Sequence, residues 1–193
     1  MVSLALSEIS ARADDLSKLD AITGDGDHGT AIVSALKAIN EAVQNGTDFK
    51  TMLESAGFNV MMVTSGSTST LLGAFFMGMS ESAEGTELNA EELRAMFGAG
   101  LTSVQKNTKA SVGDKTMMDA LIPAVNAIKA INTNNIKEIM EAGAKAALVG
   151  AEATVAMKAN FGRARNYGER SIGSADAGAT SWAYMFDAFA KAL

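Results

Sequence analysis

The chain has 193 residues, no cysteine and a formal net charge of −6. This length suits a single domain over residues 1–193, and a hydrophobic share of 48% is enough for a packed core. The acidic balance, without a run of Lys or Arg, argues against nucleic acid and anionic membrane as partners. The chain begins without a signal-peptide pattern and contains no apolar stretch near the ~20 residues of a membrane span, so we expect a cytoplasmic protein.

The spacing of apolar residues follows a helical period along most of the chain. In 28–44, Ile32, Leu36, Ile39 and Val43 recur at helical steps, which places them on one face of a helix. No segment alternates apolar and polar residues as a strand does, so the sequence predicts an all-α fold of about eight helices. The predicted helices are one ending before Asp20, then 28–44, 48–63, 67–80, one capped by Asn89 and Glu92, 114–130 with a kink at Pro123, 135–159 and 178–193.

The first polar break contains a glycine-rich turn. Residues 22–32 read ITGDGDHGTAI, with three glycines in the G-x-G-x-x-G spacing of a dinucleotide-binding turn. A predicted helix precedes the turn where a Rossmann unit needs a strand, and the chain has no G-x-x-x-x-G-K-[ST] motif. An EF-hand loop beginning at Asp25 would need Glu at its twelfth position, which is Leu36. None of these three common sites explains the turn.

Three acids, Asp20, Asp25 and Asp27, are crowded into this turn. Carboxylates held close together repel one another unless a cation neutralises them. Hard oxygen ligands favour Mg²⁺, which completes its coordination with water and nucleotide phosphates. The alternative is a solvated acidic turn in which Asp27 caps the helix that begins near His28. The spacing leaves both interpretations open.

Three other polar segments flank apolar helices. The segment 64–70, TSGSTST, is a plausible phosphate-binding nest or an ordinary helix cap. The segment 112–124, VGDKTMMDALIPA, offers polar groups at a helix start, again with capping as the alternative. The segment 162–181 combines glycines with three arginines, which suits a lid over phosphate better than a linker. His28, the only histidine, is either a packed residue or a phosphate contact.

Four of these segments carry a family resemblance. LDAITGDGDHGTAI, GSTSTLLGAFF, GDKTMMDALIPA and GRARNYGERSIGSADAGATS occur in this order between Leu19 and Ser181. The sequence resembles the family of ADP-binding L subunits of dihydroxyacetone kinase and the matching domain of single-chain, ATP-dependent relatives. The resemblance implies a closed barrel of about eight antiparallel helices with a nucleotide–magnesium site at one end.

The resemblance also implies roles for particular residues. Asp20, Asp25 and Asp27 would hold two Mg²⁺ ions that bridge the phosphates of ADP or ATP. Leu71 and Met118 fall in regions that flank the adenine, and Arg163 and Asp176 match lid positions. The full set of nucleotide-binding residues implied by the resemblance is His28, Thr30, Ser67, Thr68, Leu71, Gly113, Met118, Arg163, Asp176 and Gly178.

The implied function is phosphoryl transfer to dihydroxyacetone or a related small ketose. The substrate would lie on a separate K subunit, and a phosphocarrier M subunit of a phosphotransferase system would recharge the bound ADP. Thr70 and Ala177 stand where the family often has proline, which leaves the substrate and the phosphoryl donor open. The alternatives are an ATP-dependent kinase subunit for another keto sugar, a nucleotide-sensing partner of a transcription factor, and the nucleotide domain of a fatty-acid kinase. A homodimer remains an open alternative to a single chain.

Overall fold

The structure of the protein is a computed structural model that describes residues 1–63 and 66–193, except the side chains of Thr68 and Ser69. Over these residues the chain forms nine α-helices and no strand, so the predicted all-α class is confirmed. None of the helices in this described part is long and apolar enough to cross a membrane. The helices are α1 (Val2–Ser10), α2 (Ala13–Asp20), α3 (His28–Asn45), α4 (Phe49–Val63), α5 (Ser67–Ser80), α6 (Ala90–Asn107), α7 (Met118–Ala130), α8 (Ile136–Ala153) and α9 (Ala177–Lys191).

Most helix boundaries agree with the sequence prediction, and three differ. The single helix expected before Asp20 is two helices, α1 and α2. The helix expected over 135–159 ends at Ala153 and continues as a short 3₁₀ turn, Thr154–Ala156. The helix expected over 114–130 begins four residues later, at Met118. The predicted capping box is confirmed, because the Asn89 side chain accepts from the Glu92 backbone and the Glu92 carboxylate accepts from the Asn89 N–H.

The helices pack against one another largely in chain order. Contacts run from α3 through α4 and α5 to α6, from α6 to α7, and from α7 through α8 to α9. Helix α1 then packs against both α9 and α3, and the short α2 lies against the same two helices. The first helix of the chain therefore lies between α3 and α9.

The core is aromatic where α5, α6 and α9 meet. Phe75 packs edge-on against Trp182 with ring centroids 5.0 Å apart, and against Phe97 at 5.8 Å. Phe97 also contacts Phe186 at 5.8 Å. Such offset and edge-to-face pairs add to the stabilisation that comes from burying the rings. They join helices that are far apart in sequence.

Helix α7 runs through Pro123 to Ala130. Proline has no N–H to donate to the carbonyl four residues earlier, which is that of Asp119. On this side of α7 the backbone of Gly150 on α8 comes so close that a Cβ there would lie 1.9 Å from the Asp119 carbonyl oxygen. Helices α7 and α8 therefore pack backbone to backbone at this point, which only a glycine permits.

Candidate functional site

The acidic turn lies between α2 and α3 and is folded around the side chain of Asp20. Asp20 Oδ2 accepts hydrogen bonds from the backbone N–H of Gly26 at 2.9 Å and of Asp27 at 3.2 Å. The Asp20 carbonyl oxygen accepts from Gly24 N at 2.6 Å. A Cβ at Gly24 would lie 2.4 Å from Asp20 Oδ1, and Gly26 has a left-handed φ of +78°. The glycines therefore allow the turn to close on the carboxylate.

The turn brings three carboxylates together. One oxygen from each of Asp20, Asp25 and Asp27 lies within 4.8 Å of the other two. Asp27 stands at the N-cap position of α3, but its side chain makes no capping hydrogen bond. This observation favours the interpretation of the acids as cation ligands over the interpretation of Asp27 as a helix cap.

Arg163 reaches the three acids from a distant part of the sequence. Its guanidinium forms an ion pair with Asp25. The hydrogen bond from Arg163 holds the pKa of the Asp25 carboxyl below its usual range. Both side chains are exposed, by 68% and 47%, so the pair contributes little to stability and can exchange for another partner at small cost.

His28 begins α3 and is buried beside α9. Its Nε2 lies 2.9 Å from Ser181 Oγ, and this hydroxyl donates to the Gly178 carbonyl oxygen at 3.0 Å. The Ser181 hydroxyl therefore links the His28 ring to the backbone of Gly178. Burial lowers the pKa of His28, and the nearby acids Asp20 and Asp27 oppose this effect. The imidazole joins the acidic turn to the first turn of α9.

Asp176 caps α9 close to the same acids. Its Oδ2 accepts from Ala179 N at 2.7 Å. Burial raises the pKa of the Asp176 carboxyl to about 6; the Ala179 hydrogen bond and Lys115 oppose this rise, and Asp119 and Asp20 add to it. The carboxyl therefore lies within electrostatic reach of both the acidic turn and the segment that precedes α7.

We expect Asp176 to make the stability of the protein depend on pH. Its pKa in the folded protein, about 6, lies above the ordinary value of 3.8, so its stabilising contribution is full below about pH 4 and is lost as the pH rises through 6. The free energy of unfolding of the wild type, relative to that of Asp176→Asn, should fall between pH 4 and pH 7. Urea titrations across this range, with Asp14→Asn as an exposed control, measure the difference. A constant difference would contradict the assignment.

The segment before α7 is built on a second buried acid, Asp119. Its two carboxylate oxygens accept from Gly113 N at 2.6 Å and from Thr116 N at 2.7 Å. Between these two points Lys115 has a left-handed φ of +58° and is almost completely buried. Because these hydrogen bonds hold residues 113–116 in a turn, α7 begins at Met118 and not at the predicted residue 114.

Comparison with known proteins decides the family. Residues 22–191 match the DAK2 domain. The chain belongs to the DAK2 domain family. It is 36% identical to the ADP-binding subunit DhaL of a PEP-dependent dihydroxyacetone kinase of Listeria innocua over 184 residues, which cover 92% of this chain and 85% of the relative. It is 33% identical to the corresponding Escherichia coli subunit over 193 residues, 95% of this chain and 90% of the relative.

A solved structure supports the same family assignment. The dihydroxyacetone kinase of C. freundii in complex with AMP-PNP and Mg²⁺ superposes with a TM-score of 0.76 at 27% identity. The match covers all of this chain and 33% of that longer chain. Within the DAK2 domain family, the chain therefore groups with the ADP-binding L subunits of dihydroxyacetone kinases, which are phosphotransferases.

The structure brings only part of the predicted nucleotide set of this DAK2 domain together. His28, Arg163, Asp176 and Gly178 lie around the acidic turn through the contacts described above. Thr30, Ser67 and Gly113 are exposed. Leu71 is half-buried against the core, and Met118 is fully buried, so contact between Met118 and an adenine requires a local rearrangement. The Thr68 side chain, Thr64 and Ser65 lie outside the described residues.

Two features of the site were not predicted from the sequence. Ser181 orients His28 from 153 residues away, and no local pattern indicates such a pair. The contacts of Ser171 were not predicted either: this residue is buried, and its hydroxyl accepts from Ala159 N at 2.9 Å and donates to the Gly168 carbonyl at 2.6 Å. Much of the rest of this segment is exposed, including Arg163, Arg170 and Ile172.

Proposed function

We propose that this chain is the nucleotide-binding subunit of a kinase for dihydroxyacetone or a related small ketose. The observation that carries the proposal is the cluster of three carboxylates, one oxygen of each within 4.8 Å of the others, in a chain that belongs to the DAK2 domain family. The phosphoryl group would pass from the nucleotide to a substrate hydroxyl held on another protein. The role of this chain is to bind the nucleotide, orient its terminal phosphate and exclude water.

The residues present fit a magnesium site. All three ligands are carboxylate oxygens, the donors that Mg²⁺ prefers, and at least two of the side chains, Asp25 and Asp27, are exposed enough to be reached from solvent. Any side chain at position 24 would push the Asp20 carboxylate aside, and the glycine at this position avoids that clash. We propose that Asp20, Asp25 and Asp27 hold two Mg²⁺ ions, which would neutralise phosphate charge when bound.

Arg163 is proposed to change partner when nucleotide binds. In the structure it neutralises one of three crowded carboxylates through its ion pair with Asp25. A metal ion would take over that neutralisation, and the guanidinium would then be available to a phosphate oxygen, which it can bind in a bidentate manner. Because both side chains are exposed, breaking their ion pair costs little free energy.

We propose that the nucleotide site lies at one end of a closed helical barrel. The support is the contact order: helices α3 to α9 pack in succession, and α1 packs against both α9 and α3. The N-termini of α3 and α9 meet at the site through His28 and Ser181. Their backbone N–H groups and dipoles favour the binding of an anion there. The remaining predicted nucleotide residues, Thr30, Ser67, Thr68, Leu71, Gly113 and Met118, stay part of this proposal.

Two protein partners complete the proposed reaction. A K subunit would hold the ketose and present the acceptor hydroxyl, and a phosphocarrier M subunit would recharge bound ADP in place. The support for a multi-subunit kinase is the match to subunits whose names describe them as the ADP-binding parts of PEP-dependent enzymes.

The test is a turnover assay with the purified chain, a K subunit and dihydroxyacetone. One reaction receives ATP alone, and the other receives phosphoenolpyruvate with the phosphotransfer proteins and catalytic ADP. We expect multiple turnovers in the second reaction and about one turnover per bound nucleotide in the first, because a nucleotide held by metals and a lid leaves slowly. Efficient turnover on ATP alone would show an ATP-dependent kinase subunit. No phosphorylation in either reaction would refute the proposed function.

A further inference from the structure

Lys115 is a buried cation at a backbone position that side chains rarely adopt. It is 3% exposed and has a φ of +58°, a conformation in which glycine is the ordinary residue. Its Nζ donates to the carbonyl oxygen of Thr154 at 2.6 Å and to that of Ser174. Burying an ammonium group is unfavourable unless its protons are bound. The two carbonyls therefore explain how the buried charge is tolerated. They leave open why a lysine stands at a backbone position that favours glycine.

The two carbonyls belong to opposite ends of one segment. Thr154 is the C-cap residue of α8, and Ser174 lies just before α9. Lys115 therefore binds both ends of the stretch 155–173. Two further bonds close the same base. Gly173 N donates to the Val155 carbonyl at 2.8 Å, and Asp176 N donates to Thr154 Oγ1 at 2.9 Å. The stretch is thus a loop whose base is fastened by one side chain from a different part of the chain.

This loop carries Arg163, the residue that pairs with Asp25 in the acidic turn. The loop is also held at Asn160, whose backbone N–H and side-chain amide donate to Asp114 at 3.1 and 2.9 Å. The position of the guanidinium depends on these ties and on the base of the loop, because the segment around Arg163 is itself exposed and contains left-handed glycines at 162 and 168. We propose that Lys115 is a positioning residue, which clamps the base of the 155–173 loop and thereby sets the reach of Arg163 toward the nucleotide phosphates. The proposal rests on the proposed nucleotide-binding function.

The surroundings of Lys115 are arranged to keep its side chain in place. Asp119 accepts from the N–H groups of Gly113 and Thr116, on either side of the lysine in the chain. Burial lowers the pKa of Lys115, and the nearby acids Asp176 and Asp119 oppose this effect by favouring the charged ammonium. The clamp therefore starts from the turn that precedes α7 and has its two acceptors at the two ends of the 155–173 loop.

The first experiment needs no nucleotide. Amide hydrogen exchange is compared in the wild type, in Lys115→Met, and in Lys115→Gly, which relieves the left-handed backbone while removing the ammonium. Lys37→Met, an exposed lysine on α3, is the control. We expect both Lys115 variants to exchange faster over 155–176, including Gly173 N–H and Asp176 N–H, while amides of α4 to α6 keep their protection. Unchanged exchange over 155–176, or faster exchange across the whole protein, would overturn the clamp.

The second experiment measures dissociation of a fluorescent Mg–ADP analogue by stopped flow. We expect Lys115→Met and Lys115→Gly to release nucleotide about tenfold faster, the effect of losing about one charge-assisted hydrogen bond, with little change in the association rate. Arg163→Ala should have a similar effect, and the Lys115→Met and Arg163→Ala changes combined should release nucleotide no faster than Arg163→Ala alone. Additive effects would show that Lys115 does not act through Arg163. If the wild type binds no Mg–ADP, the proposed function fails, and the exchange experiment still decides whether Lys115 clamps the loop.

Discussion

Replacing Asp27 with Asn is expected to lower turnover by about a thousandfold, which corresponds to about 4 kcal/mol of transition-state stabilisation. The substitution removes one charged oxygen from the three-carboxylate cluster. It leaves the turn intact, because the backbone bonds that fold the turn go to Asp20 and not to the Asp27 side chain. Asp25→Asn should act in the same direction, and it also removes the partner of Arg163.

Calorimetry with ADP in the presence and absence of Mg²⁺ measures the binding part of this effect. Asp14→Asn, an exposed acid on α2 outside the cluster, serves as the matched control and should bind Mg–ADP as the wild type does. Equal affinity for ADP in magnesium and in EDTA, or undiminished affinity in both cluster variants, would contradict the metal assignment.

Replacing Gly150 with Ala is expected to cause a large loss of stability, because the added methyl group meets the backbone of a neighbouring helix. The added Cβ would lie 1.9 Å from the Asp119 carbonyl oxygen, which is a backbone atom and cannot rotate away. Helices α7 and α8 would have to separate, and overpacking of this kind costs about 3 kcal/mol. Because Asp119 also folds the turn around Lys115, the base of the Arg163 loop should loosen as well.

Gly98→Ala is the matched control for this change, since Gly98 is also a glycine inside a helix. A Cβ at Gly98 would meet nothing closer than the Lys129 side chain at 3.8 Å, so alanine there should stabilise the protein by about 0.5–1 kcal/mol. Urea unfolding of the two variants should therefore give free-energy changes of opposite sign. Destabilisation of equal size in both would show that α8 does not approach α7 as closely as the structure indicates.

The helices could be predicted from the sequence because their apolar spacing and caps are local. The boundaries of α3, α4 and α5 follow from apolar periodicity, and the start of α6 follows from its capping box at Asn89. The start of α7 could not be predicted in this way. The Asp119 side chain, inside the predicted helix, turns back and binds the N–H groups that a helix would have used.

The acidic cluster could be located from its three aspartates, but its surroundings are formed by residues distant in sequence. The pairs His28–Ser181 and Asp25–Arg163 depend on how α3, α9 and the 3₁₀ segment Arg163–Ser171 pack together. The burial of Met118 could not be predicted either. Apolar spacing predicts a helix, but it does not show which residues of that helix a ligand can reach. Lys115 looked like one polar residue in a turn, and only its two distant carbonyl partners give it a role.

The central claim is that nucleotide and metal bind together at the turn of Asp20, Asp25 and Asp27. Manganese can replace magnesium and broadens the NMR signals of nearby amides, so a ¹⁵N-labelled sample with Mn²⁺ and ADP reports the position of the ion directly. We predict broadening centred on residues 20–29 and extending to 162–178, which requires both Mn²⁺ and ADP and is lost in Asp27→Asn. Broadening that is centred elsewhere on the chain, or that is the same without ADP, would contradict the account.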